Sequence, residues 1–292
     1  MASAPVFISS ICVICGYRGK TMKSKVSIGT SGFGIARVKY FQLFSCVEVQ
    51  HTFYQPPKIS TLERWRENTP PEFEFVLKAW QLITHDAKSP TYRRLKKKLS
   101  ESEKQEAGYF KSTPIVKEAW EVTLACAQAL KARTILFQCP ASFKQTKENI
   151  ANLEEFFGNL NRLKNHFEQI NFCWEPRGDW ESKVLKRICD DLNLWHVVDP
   201  YTAESVTPDK LYFRLHGRNG WRYEYEESEL LELVAILPSL GTSKSLAKSD
   251  RGSQAGSLLG VAKTPYVFFN NACMTQDALR FQAITQEVNR ET

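Results

Sequence analysis

Short runs of β-branched, aromatic and cysteine residues recur along the chain, each followed by a turn and then by apolar residues at helical spacing. The runs are Val26–Thr30, Cys46–Val49, Phe73–Ala79, Thr134–Gln138, Asn171–Glu175, Trp195–Val198, Leu211–Leu215 and Tyr266–Phe269. Helical spacing follows at Val116, Trp120, Thr123, Ala127 and Leu130, and at Ile150, Leu153, Phe156 or Phe157, Leu160 and Leu163. It returns over Glu181–Leu194, through Val184, Leu185, Ile188, Cys189 and Leu192, and over Glu226–Leu237 and Gln276–Val288. Eight strands alternating with helices predict an α/β fold, a single closed parallel barrel of the TIM (β/α)8 type. An open doubly wound sheet more often stops at about five to seven strands.

Three regions interrupt the alternation. Residues 1–21 carry no strand or helix period and are expected to be a poorly structured extension, which assigns the barrel to 22–292. Thr84–Thr113 is a long polar excursion in which Arg93, Arg94, Lys96, Lys97 and Lys98 are nearly contiguous. Leu240–Thr264, rich in Ser, Gly and Lys, is expected to be a mobile surface loop.

Composition narrows the class without naming a chemistry. At 292 residues, 42% hydrophobic and 24% charged, the chain is globular, and its length suits one barrel. Pro5–Cys15, the longest apolar candidate, is too short to span a bilayer, and no basic residue precedes it. Neither a membrane segment nor a secretory signal is expected. The eight cysteines are scattered, and Cys12-Val-Ile-Cys15 has no second pair at zinc spacing, so a reducing cytoplasm is the expected compartment. The net charge of +7 includes four basic residues and no acid before Val26, so the remainder is too mildly basic to read as a nucleic-acid coat.

In such a barrel, ligands bind where the strands end. Strand one ends in Gly29-Thr30-Ser31-Gly32, and strand two brings Glu48, Thr52 and Tyr54. Lys78 and Trp80 follow from strand three and Gln138 from strand four. Strand five supplies Glu175, Arg177 and, slightly later, Trp180. Asp199 ends strand six, Arg214 and His216 strand seven, and Asn270-Asn271 strand eight. Glu48 alternates with Val47 and Val49, so it faces the mouth and requires a partner there.

Taken together, these segments resemble the YecE-like family, also called domain of unknown function 72. The resemblance rests on Val26-Ser-Ile-Gly29-Thr30-Ser31-Gly32-Phe33, on Val47 to Tyr54, on Arg64-Trp65 with Thr69-Pro70-Pro71, and on Phe73 to Lys78 with Ile83-Thr84-His85. It continues through Leu136 to Pro140, Trp174-Glu175-Pro176-Arg177 with Trp180, Val198-Asp199, Tyr212 to Gly217 and Phe268 to Asn271. It covers roughly residues 26–288 and implies a TIM-type barrel. Ser89 to Arg94 resembles the archaeal branch. Phe33 stands where a Trp is usual, Asn270 where many members have Asp, and Cys139 precedes one proline where others have two.

Several chemistries fit these residues. Glycoside cleavage needs two carboxyl groups about one bond, and many barrel glycosidases carry them on strands four and seven, where this chain has Gln138, Arg214 and His216. A divalent metal, the candidate cofactor, would draw its ligands from Glu175, Asp199 and His216, with Glu48 or His51 as a fourth. Alternatively, Glu175 pairs with Arg177 or Arg214, and Asp199 with Lys78, as a buried ion network. Anion binding by Lys78, Arg177, Arg214 and the Gly29–Gly32 backbone would accept a phosphate.

The expectation is a hydrolase-like or lyase-like barrel acting on a phosphate-containing ligand, a small molecule or a nucleic acid. Glu175 serves as general base or metal ligand with Asp199 as its partner. Arg214 and Arg177 hold the anion, and His216 and Lys78 assist proton transfer. A non-catalytic nucleic-acid or metabolite binding module is the alternative.

Overall fold

A computed structural model of the protein describes residues 26–163, 170–237 and 264–291. The 1–21 extension, the Cys12–Cys15 motif and nearly all of the expected 240–264 loop lie outside the described residues. Eight strands are present: β1 (Ser27–Thr30), β2 (Cys46–Val49), β3 (Glu74–Lys78), β4 (Thr134–Gln138), β5 (Asn171–Glu175), β6 (Trp195–Val198), β7 (Tyr212–Leu215) and β8 (Tyr266–Phe269). All pair in parallel in the order β1-β8-β7-β6-β5-β4-β3-β2. The sheet curls until β1 and β2 meet at a single bridge between Ser31 and Glu48, giving a nearly closed TIM-type barrel.

That seam has its own device. α1 (Arg37–Leu43) buries one residue, Tyr40. Its hydroxyl accepts from the Thr30 backbone N–H at 3.0 Å and donates to the Cys46 carbonyl at 3.0 Å, joining β1 to β2 in place of the missing ladder bonds. Gly29 makes the close approach feasible, because a Cβ there would lie 2.5 Å from the Cys46 carbonyl oxygen.

Buried strand residues divide by parity, since successive side chains point to opposite faces. One apolar set, including Ile28, Val47, Leu77, Phe137, Trp174 and Phe213, packs outward against the helices. A smaller set, including Cys46, Val76, Leu136, Cys173, Tyr212 and Phe268, fills the barrel itself. Two residues further along the same inward parity come Glu48, Lys78, Gln138, Glu175, Arg214 and Asn270, at the C-terminal end.

The helical layer follows the expected spacing in α6 (Pro114–Leu130), α7 (Lys147–Leu163), α8 (Ser182–Leu192), α9 (Glu227–Ile236) and α10 (Met274–Glu291). α2 (His51–Tyr54) and α3 (Ile59–Glu67) lie between β2 and β3. The polar excursion after β3 is ordered: α4 (Gln81–Thr84), a 3-10 turn at Pro90–Arg94, and α5 (Glu101–Glu106), which a Ser100–Glu103 capping box starts. The alternation fails once. β6 runs to β7 through residues 199–211 without a helix.

Candidate active site at the barrel mouth

Arg214 is the hub of the mouth. It enters from β7 with its side chain fully buried, and its five N–H groups face five acceptors. Nε donates to Glu48 Oε2 at 2.9 Å, and Nη2 to Glu48 Oε1 at 2.8 Å and to Ser31 Oγ at 3.5 Å. Nη1 donates to Glu175 Oε2 at 2.5 Å and to Gln138 Oε1 at 3.1 Å. Opposite charges on both sides outweigh the burial that disfavours the cation, so its pKa is raised. The expectation that Arg214 holds an anion directly therefore meets a guanidinium with no donor to spare.

Glu48 is equally committed. Besides Arg214 it accepts from the Tyr212 hydroxyl at 2.5 Å and from the Gln50 amide. Tyr212 precedes Arg214 by two residues and Gln50 follows Glu48 by two, so strand parity puts all four on the inner face. Glu48 is the partnered inward glutamate that its position demanded, and it is closed off from solvent.

Glu175 receives Arg214 on one oxygen. The other accepts from Arg177 Nη1 at 3.3 Å and His216 Nε2 at 3.0 Å. Burial alone would raise its pKa, but Arg214, the His216 hydrogen bond and Arg177 hold it well below the usual carboxylate range. It stays ionised at any physiological pH. Asn270 Nδ2 lies 3.0 Å from His216 Nδ1, which makes that nitrogen the acceptor and leaves Nε2–H to face Glu175.

Lys78 sits deeper, on the β3 side. Its ammonium donates to Gln138 Oε1 at 2.7 Å, faces Gln50 Oε1 at 3.4 Å, and lies 4.0 Å from the centre of the Phe53 ring. Burial, reinforced by the Arg214 charge and only partly offset by Glu48 and Glu175, lowers its pKa to about 7. Its proton is poised near neutrality. The expected Lys78–Asp199 pair does not form among the described residues. Asp199 instead caps backbone, accepting from the N–H of His216 at 3.0 Å and of Tyr201 at 3.1 Å.

The structure thus brings Ser31, Glu48, Lys78, Gln138, Glu175, Arg177, Arg214, His216 and Asn270 into one hydrogen-bonded network, and leaves other candidates outside it. Gly29 serves the seam. Thr30 Oγ1 is 2.9 Å from the Tyr40 hydroxyl and donates to the Gly32 carbonyl at 2.6 Å. Thr52 is buried and bonds the Lys78 carbonyl at 2.7 Å. Tyr54 lies under Arg94, whose guanidinium is 4.4 Å from the ring centre. Asn271 turns away from the mouth, donating to Asp277 at 2.6 Å and the Tyr223 carbonyl at 2.7 Å. Trp180 anchors its indole on the Phe143 carbonyl at 3.0 Å and lines a groove beside the mouth.

A metal fits poorly here. The oxygens of Glu175 are taken by arginines and an imidazole, and those of Asp199 by backbone N–H groups. No group of three or more His, Cys, Asp or Glu among the described residues is arranged to hold an ion. Nor is any helix of the described residues long and apolar enough to cross a membrane.

A nearly closed parallel barrel with a buried ion network at its C-terminal mouth is the class that fold and site define. The chain belongs to the family described as "Protein of unknown function DUF72", whose profile matches residues 37–292. The UPF0759 protein YunF of Bacillus subtilis (strain 168) is 24% identical over 193 residues, which make up 62% of this chain and 62% of that protein. The match thus spans under two thirds of that relative's length. A DUF72 family protein from Enterococcus faecalis V583 superposes with a TM-score of 0.60 at 20% identity, covering 89% of this chain and 97% of that one. A xylose isomerase domain containing protein from Salmonella typhimurium LT2 superposes with a TM-score of 0.51 at 11% identity, covering 91% and 95%. The likeness to these structures shows the fold.

Proposed function

We propose that the mouth is the active site of an enzyme of hydrolase or lyase type that acts on a phosphate-containing ligand. The observation that carries this reading is the unequal state of the two arginines. Arg214 is sealed with every donor used, whereas Arg177, its side chain 42% exposed, commits only Nη1. Its Nε and Nη2 have no partner among the described residues, so a guanidinium edge remains for an oxyanion.

Charge supports the same ligand class. Within the hydrogen-bonded network Arg177, Arg214 and a protonated Lys78 face the carboxylates of Glu48 and Glu175, while the Asp199 carboxylate is held apart on backbone N–H groups. An anion bound at Arg177 would raise the proton affinity of Lys78. In this reading Arg177 binds the phosphate, Lys78 gives or takes the proton, and Ser31 and Gln138 add neutral hydrogen bonds. Glu175 orients Arg177 and His216 as an ionised anchor; the base role passes to Lys78 because its pKa lies near the working pH.

A second reading, a non-catalytic nucleic-acid binding module, draws on the exposed Arg93, Arg94, Lys96 and Lys98. Arg94 stacks on Tyr54, and the Lys96 backbone N–H donates to Gln55 Oε1 at 3.0 Å, which ties this basic segment to the C-terminal end of α2. That reading requires binding that weakens steeply with salt.

A thermal-shift panel of inorganic phosphate, phosphate monoesters, nucleotides and short oligonucleotides tests both. A ligand at about 100 times its Kd adds about 2.7 kcal/mol of stability. The proposal expects a shift with phosphate compounds that Arg177→Gln removes. A panel flat for every phosphate compound rejects it, and a shift confined to oligonucleotides favours the second reading.

A further inference from the structure

The missing helix after β6 leaves space beside the mouth. The outer face of β6 is flanked by α8 and by the loop that leads to β7, and a groove of about 760 Å³ remains between them. Glu175, Arg177 and His216 form part of its wall, so the groove opens directly onto the ion network. Its volume falls within the roughly 300–1,000 Å³ of small-molecule sites. The remaining wall mixes apolar Trp180, Leu185 and Val206 with polar Thr202 and Ser205.

His196, on β6, also lines this groove and is only 4% exposed. Its Nδ1 accepts the Val206 backbone N–H at 3.2 Å, which places the ring proton on Nε2. Burial lowers its pKa to about 4, so the ring is neutral at pH 7 and Nε2 is a fixed donor. Among the described residues this Nε2–H has no acceptor. With Nδ1 engaged, Nε2–H is the ring's remaining donor, and His196 lines the groove where a ligand oxygen could accept from it.

We propose that the groove is a second subsite, in which His196 Nε2–H donates to a hydroxyl or ring oxygen of a sugar-sized group whose phosphate sits at Arg177. The proposal rests on the anion reading of the mouth and extends it to the substrate class, a sugar phosphate. The mixed wall suits such a group, since a sugar presents hydroxyls at its rim and C–H bonds on its faces.

The test compares inorganic phosphate with ribose 5-phosphate by calorimetric titration of the wild-type protein, His196→Leu and Ala203→Trp. The second variant fills the groove from an exposed lining position and keeps the His196–Val206 bond intact. Ribose 5-phosphate should bind the wild type at least about tenfold more tightly than phosphate. Both variants should lose that advantage while their phosphate affinity stays within about twofold. Phosphate binding with no gain from the sugar, or a gain that survives in Ala203→Trp, overturns the subsite alone. Binding of neither compound overturns the anion reading and the subsite together.

Discussion

Arg214 and Glu48, from strands β7 and β2, are joined by two hydrogen bonds of 2.9 and 2.8 Å, with neither side chain exposed. Removing one partner of such a pair leaves the other charged, buried and alone. Arg214→Met should therefore destabilise the protein by about 3–5 kcal/mol. Arg214→Lys should also destabilise it, because an ammonium cannot reach five acceptors in a plane. Urea unfolding at pH 7 measures both, and a loss below about 1 kcal/mol for Arg214→Met would mean the network is not the floor of the mouth.

The seam between β1 and β2 depends on one hydroxyl. Tyr40→Phe keeps the ring packing and leaves the Thr30 N–H and the Cys46 carbonyl without their shared partner, at a cost of about 1–3 kcal/mol. Hydrogen exchange at the Thr30 amide should accelerate in step. Unchanged exchange with unchanged stability would show that the seam closes by other means.

Lys78 gives stability a pH dependence whose direction is fixed. Its folded pKa of about 7 lies below the 10.5 of a free lysine, so between those values the unfolded chain binds the extra proton. The contribution is fully present above pH 10.5 and is lost as pH falls towards 7. The unfolding free energy of the wild type relative to Lys78→Met should rise by up to about 1.4 kcal/mol per pH unit across that window. A flat difference would place the lysine's pKa near its ordinary value.

Two buried histidines act at lower pH. Burial takes His196 from 6.5 to about 4 and His85 to about 3. The stability from keeping them neutral is present above pH 6.5 and erodes as pH falls through these folded values. Denaturant midpoints should drop between pH 6.5 and 4, and His196→Leu should lessen the slope. An equally steep fall in the variant would remove His196 from the account.

The expected strands match the observed ones to within a residue at each end. Strands of a parallel barrel are buried on both faces and read as uninterrupted apolar runs, bounded by turns. The polar ends were equally legible, and parity explains why Lys78, Gln138, Glu175 and Arg214 meet. The pairing of Glu175 with Arg177 and Arg214 was legible as well; what escaped was that Arg214 also holds Glu48. Tyr212 and Gln50 share the inner face with Arg214 and Glu48, and the two-residue spacing could have found them. Tyr40 and His196 carried no such signal, because the seam and the helix-free crossing after β6 are properties of closure and not of any local period. Parity aims Asp199 at the mouth without showing that backbone N–H groups would claim both its oxygens.

In the proposed function Arg177 at the mouth, and not the basic segment outside it, holds the anion. Calorimetric titration of inorganic phosphate into the wild type, Arg177→Gln and Arg94→Gln measures this most directly. Affinity should fall by at least about tenfold, or 1.4 kcal/mol, in Arg177→Gln and stay within about twofold in Arg94→Gln. Loss in Arg94→Gln with retention in Arg177→Gln would instead place the anion on the basic segment outside the mouth.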